Sequence, residues 1–220
     1  MKRYIPFAGA AGVAAVALAF AVQPERFSLE DPKGVNAIGI RMDSRFEPQL
    51  GTATGIDGYL VFNPDAPENT MGQVEIDAST ISMTNPTMTD HMHGEDWLNI
   101  EEHPTVSFEV REVMDVERAM DAEDPTWTGN VLGELTIKGI TREVMAPARL
   151  TYFEEGLASR NRGTEGDLII IESDLVIDRT EFGIQPDNYL DMVAPDVKLD
   201  IALSAFNPSE EQGDGEYTLN

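Results

Sequence analysis

The chain of 220 residues and 24.2 kDa suits one domain with appendages and is short for two. Forty Asp and Glu against fifteen Lys and Arg give a net charge of −25, which repels phosphate backbones and excludes nucleic acid as a partner. Zero cysteines remove disulfides, thiolate nucleophiles, thiolate metal sites and a cysteine-linked lipid anchor, while 41% apolar content suffices for a buried core.

Lys2 and Arg3 precede an Ala- and Val-rich run to Val22, with small residues at Ala19 and Ala21. This pattern predicts a secretory signal peptide over residues 1–21 and export of the mature chain. A retained helical anchor is the rival, but Pro6 interrupts the run early and leaves it short for a span of about 20 residues. From there to residue 206 the dominant period is two. Ile38, Ile40 and Met42 share a face; weaker strands follow at about residues 57–63 and 72–78. Asn85-Pro86 then starts a short helical segment that Gly94 stops. It reads equally as a lid across one end of the fold or as a plain crossover.

After this segment Val106, Phe108 and Val110 alternate with polar neighbours, as do Val131, Gly133, Leu135 and Ile137. Val144, Ala146, Ala148, Leu150 and Tyr152 share a face, as do Ile169, Ile171, Ser173, Leu175 and Ile177, and finally Val197, Leu199, Ile201 and Leu203. The eight candidate strands predict an all-β domain over residues 22–206: an eight-stranded antiparallel barrel, with the helical segment between the third and fourth strands. A two-sheet sandwich is the alternative. Residues 207–220 carry acids and glycines with little to bury, which predicts a disordered acidic tail. The inward faces contain Gly133, Ala146, Ala148 and Ser173, which leaves room for a ligand unless Phe108, Tyr152 and Phe182 fill it.

Chemistry is sparse. His91-Met92-His93 with Asp90 and Glu95 supplies metal-capable side chains, but the helical i, i+4 spacing that puts two ligands on one face is missing. No nucleophile elbow, zinc-protease motif, phosphate loop or dinucleotide fingerprint is present, and forty acids make adjacent carboxylates inevitable. The sequence therefore points to no enzyme, no cofactor and no metal. Arg179 ends an apolar strand, at a position predicted to lie on the rim, where its planar fork suits either an anionic headgroup or a salt bridge and loop carbonyls.

Three ordered motifs resemble the YceI-like family. The first runs from Ala78-Ser79-Thr80-Ile81 through His91-Met92 and Asp96-Trp97-Leu98 to Pro104-Thr105-Val106-Ser107-Phe108. The others are Gly133-Glu134-Leu135-Thr136-Ile137-Lys138-Gly139-Ile140-Thr141 and Ile177-Asp178-Arg179-Thr180-Glu181-Phe182-Gly183-Ile184. The resemblance implies a periplasmic, lipocalin-like lipid-binding barrel that carries or sequesters a long isoprenoid, such as a polyprenyl quinone or prenyl phosphate. It implies no turnover, and it makes membranes transient lipid donors or acceptors only. His91, Trp97, Phe108, Arg179 and Phe182 are the matched residues nearest the mouth and cavity. With the inward positions Ile40, Ile137, Ala146, Ala148, Tyr152, Ile171 and Leu199 they form the expected ligand-binding set. Val35-Asn36-Ala37 stands where the family has a His-Ser pair, and Trp97-Leu98 where it has two aromatics, so ligand identity stays open. The acidic stretch at residues 121–124 has no family counterpart. A homodimer also stays open. The rival functions are a stress-response or structural interaction protein with a filled barrel, and a metal-assisted hydrolase at His91 and His93.

Overall fold

The computed structural model describes residues 23–160, 164–185 and 192–208. The expected signal segment and most of the expected acidic tail lie outside the described residues.

The described residues form eleven strands: β1 (Glu25–Ser28), β2 (Ala37–Ser44), β3 (Gln49–Ala53), β4 (Ile56–Phe62), β5 (Met71–Asp77), β6 (Ser82–Met83), β7 (Thr105–Arg118), β8 (Thr126–Ile137), β9 (Ile140–Phe153), β10 (Gly166–Asp178) and β11 (Val193–Pro208). Three pairs of them act as the halves of single staves. β1 and β2 form one stave, β3 and β4 the next, and β5 with β6 a third, because β4 pairs with β1 and β5 while β3 pairs with β2 and β6. All neighbours are antiparallel and follow chain order. β11 returns to β2 (Ile201 opposite Ile38) and to β1 (Phe206 opposite Ser28), so the eight staves close into a barrel and no sandwich forms. β11 continues through Pro208, paired with Gly166, two residues past the expected end of the domain.

The break between β1 and β2 has a specific filler. Asn36 is buried; its amide donates to the carbonyls of Leu29 (2.8 Å) and Ser204 (3.0 Å), and its oxygen accepts from the Ser204 N–H (2.7 Å). One side chain thus supplies the ladder bonds that the missing strand residue would have made.

The period-two faces point as the sequence predicts, and their inward residues form one core cluster. Tight turns keep the register. Lys138-Gly139 joins β8 to β9 with both residues at positive φ (51° and 72°), the backbone of a two-residue hairpin whose twist matches its strands. Gly133 is required for a different reason: a Cβ there would lie 2.2 Å from Cζ of Phe108. The room that Gly133 offers is therefore filled by the Phe108 ring.

One end of the barrel is sealed by aromatic rings. Phe62 packs edge-on against Phe27 (centroids 6.5 Å apart) and Trp127 (5.5 Å), with Tyr152 5.9 Å away. The Tyr152 hydroxyl donates to Asp167 (2.6 Å), and burial together with that carboxylate raises its pKa far above the ordinary tyrosine value. Below this layer Asp31 pairs with Arg160 of α2 (Leu157–Arg160) at 2.8 Å. Burial alone would push the Asp31 carboxyl up, but the Val35 N–H, Arg160 and the Lys33 N–H outweigh it and hold it below the usual value.

Candidate functional site: an apolar lumen with a methionine-lined mouth

The opposite end is covered by α1 (Pro86–His93). Asn85 caps it by accepting from the Thr87 N–H (2.9 Å), Pro86 occupies the first turn where its missing N–H costs nothing, and Gly94 ends it. The Met83 N–H donates to Thr89 Oγ1 (2.9 Å), and the His93 ring bonds the Ile81 carbonyl (2.7 Å), so the helix is tied across the barrel end. Met92, Trp97 and Leu98 face inward and form the roof of the lumen. The segment is thus a cover over the mouth.

Beneath it the barrel is hollow. A chamber of about 170 Å³ lies under α1 and a second of about 160 Å³ lies toward the aromatic seal. Val74, Phe108, Ala146, Ile201 and Leu203 line both. Ile40, Ile137 and Leu199 line the mouth-side chamber, and Ala148, Ile171 and Ser173 the far one. Ala146, Ala148 and Ser173 leave the space that their small size suggests. Ser173 Oγ is shielded from solvent and has no hydrogen-bond partner.

Three expected positions fall outside this lining, one of them His91, which lies on the outer side of the roof. Tyr152 has the inward parity but sits at the sealed end, where it belongs to the aromatic layer. Phe182, fully buried in the 3₁₀ turn Arg179–Phe182, is absent from both chamber walls.

Arg179 is the only charged residue on the mouth-side chamber wall among the described residues. It is 1% exposed, and its guanidinium donates to the carbonyls of Ala194 (Nε, 3.1 Å), Ile184 and Gln185 (Nη1, 2.7 and 2.9 Å) and Val193 (Nη2, 3.1 Å). Its charged center lies 5.4 Å from the centroid of the Trp97 ring. Burial lowers its pKa from the usual arginine value, and nearby Asp178 opposes the shift. Most of its donors are therefore committed to holding the rim together.

Outside the roof lies a vestibule of about 600 Å³ that shares Met42, Met92 and Trp97 with the inner chamber. Met83, Met88 and Met192 add to its apolar wall, while Glu47, Asp90, Glu95 and Asp96 make its polar side acidic. His91 is exposed on this surface. Among the described residues no group of three or more His, Asp or Glu is placed to hold a metal ion. Met83 and Met192 carried no signal in the sequence, because they reach the vestibule from a two-residue strand and from the residue just before β11.

A closed antiparallel β-barrel, hollow, apolar within and capped by a short helix, defines a member of the lipocalin-like barrel architectures. The YceI-like domain model matches residues 34–205, and the chain belongs to that family. It is 25% identical over 99 residues to a UPF0312 protein of Ectopseudomonas mendocina, covering 45% of this chain and 48% of that one. It is 28% identical over 100 residues to one of Pectobacterium carotovorum, covering 46% and 47%. The chain spans about half the length of the curated relatives it matches. Among solved structures it is similar to Burkholderia cenocepacia BcnA (TM-score 0.61, 19% identity, 77% of this chain and 95% of that one). It is also similar to a polyisoprenoid binding domain from Saccharophagus degradans implicated in plant cell wall breakdown (TM-score 0.56, 11% identity, 83% and 98%). These likenesses carry the fold.

Proposed function

We propose that the protein binds a long-chain isoprenoid lipid in the barrel lumen, as a non-enzymatic periplasmic carrier or store. The observation that carries this reading is the pair of apolar chambers sharing walls beneath a roofed mouth. An apolar chain buried there gains about 25 cal/mol per Å² removed from water, with no polar partner needed along its length. Family membership and the likeness to the Saccharophagus degradans polyisoprenoid binding domain support the same reading.

The vestibule favours an uncharged head of the quinone type over a prenyl phosphate. Among the described residues four carboxylates line it, and Arg179, the one cation on the chamber wall, spends four donor contacts on carbonyls. An anionic head would enter against like charge with no free fork to receive it.

Titration with a polyprenyl benzoquinone and with a prenyl diphosphate of equal chain length, read by quenching of Trp97 and Trp127 together, tests both statements. Saturable quinone binding, at least about tenfold (1.4 kcal/mol) tighter than the diphosphate at low salt, is expected. Absence of saturable binding to either overturns the lipid reading; equal or tighter diphosphate binding overturns the choice of head.

A further inference from the structure

The barrel wall is not laddered along its whole height. β9 pairs with β8 from Ile140 onward and β10 with β11 as far as Asp178, but β9 and β10 pair only between Phe153 opposite Leu168 and Arg149 opposite Glu172. Continued in the same register, residues 173–178 fall opposite 143–148, and no backbone ladder joins these stretches.

Register explains where the ladder stops. Ile137 opposite Ile140 closes a two-residue hairpin, so this pair exchanges both hydrogen bonds. Alternation then turns the N–H and C=O of residues 145, 147, 149 and 151 away from β8 and toward β10. The next rung after Arg149 and Glu172 falls at position 147. That residue is Pro147, which has no N–H to give. Continuing the same register sets Met145 opposite Val176 and Glu143 opposite Asp178, two like charges that resist closure. Met145 and Val176 are 49% and 56% exposed on the outer wall. On the inner side Ala146 and Leu175 line the mouth-side chamber, and Ser173, whose hydroxyl is unpartnered, lines the far one.

We propose that this seam is a lateral portal through which the apolar chain of a ligand enters and leaves the lumen, an inference that rests on the lipid-binding function above. One barrel end is sealed by Phe62, Trp127 and Tyr152, and the other is roofed by α1. Parting of β9 from β10 lets a long chain pass sideways, from an apolar outer pair to an apolar inner wall, without axial threading. Opening there breaks no ladder bond, because the β9–β10 ladder ends at Arg149 opposite Glu172.

The test joins the seam. The chain has no native cysteine, so Met145→Cys with Val176→Cys introduces the only two thiols. Transfer of a fluorescent polyprenyl benzoquinone from phosphatidylcholine vesicles is timed in the oxidised and reduced forms; a short bis-maleimide makes the bridge if oxidation does not. Transfer at least tenfold slower in the bridged form, restored on reduction of the disulfide, is expected. Pro147→Thr, which returns the missing donor, should slow transfer in the same direction. Equal rates in bridged and reduced protein overturn the portal and return the passage to the α1 mouth. Reduced protein that takes up no quinone at all overturns the lipid reading, and the portal with it.

Discussion

Ala146→Phe separates a hollow barrel from a filled one with and without ligand. Ala146 lines both chambers, so a ring at this position projects into the passage they share. A cavity of about 150 Å³ accommodates benzene, and each chamber is of that size, at about 170 and 160 Å³. The ring therefore occupies most of one chamber and displaces on the order of one five-carbon isoprene unit. At about 0.8 kcal/mol per buried methylene the loss approaches 4 kcal/mol, or roughly a thousandfold in affinity. The stability of the ligand-free protein moves the other way from an overpacked core: unchanged or higher, rather than lower by about 1–3 kcal/mol. Urea unfolding of lipid-free protein and quinone titration by tryptophan quenching measure the two effects. A folded variant that binds quinone like the parent, or one destabilised by several kcal/mol, refutes the hollow-lumen reasoning.

Three further outcomes follow from individual contacts. Arg179→Met leaves four rim carbonyls without their donor, and urea unfolding should show a loss of about 3–5 kcal/mol; a change below 1 kcal/mol would contradict its placement as the clasp of the rim. Asn36→Ala should cost about 2–3 kcal/mol by removing three bonds at the break in the first stave, and amide exchange at Ser204 should accelerate; unchanged protection there would argue against the surrogate-ladder role. The Asp31 carboxyl has a folded pKa below its unfolded value, so its contribution is complete above an unfolded pKa of about 3.9 and is lost as pH falls through the folded value. The gap in melting temperature between the parent and Asp31→Asn should thus hold from pH 7 to about pH 4 and shrink below it; a gap constant to pH 2 is the contrary result.

The sequence disclosed the architecture where a local rule sufficed. Alternation along 106–110, 131–137 and 197–203 assigns inside and outside without knowledge of the neighbours, and Asn85-Pro86 with Gly94 brackets the helix by capping alone. The site was legible where small size met correct parity, as at Ala146 and Ala148. It was not legible where the outcome depends on a diagonal or distant partner. Gly133 looks like free space until the register places Phe108 over it. Tyr152 has inward parity, yet height along the barrel, which periodicity does not report, puts it in the seal. The carbonyls that occupy Arg179 come from residues 184–194, and nothing in their types marks them as acceptors for it. The halved staves depend on a side-chain amide standing in for backbone at Asn36, a substitution that leaves no periodic trace.

Whether the lumen holds an isoprenoid is measured most directly by mass spectrometry of organic extracts from protein exported by a bacterial host and purified without detergent. An equally acidic protein prepared in parallel sets the background. A stoichiometric long-chain isoprenoid with an uncharged head is the expected result. An extract that is clean, and stays clean after incubation with polyprenyl quinones and prenyl phosphates, would contradict it.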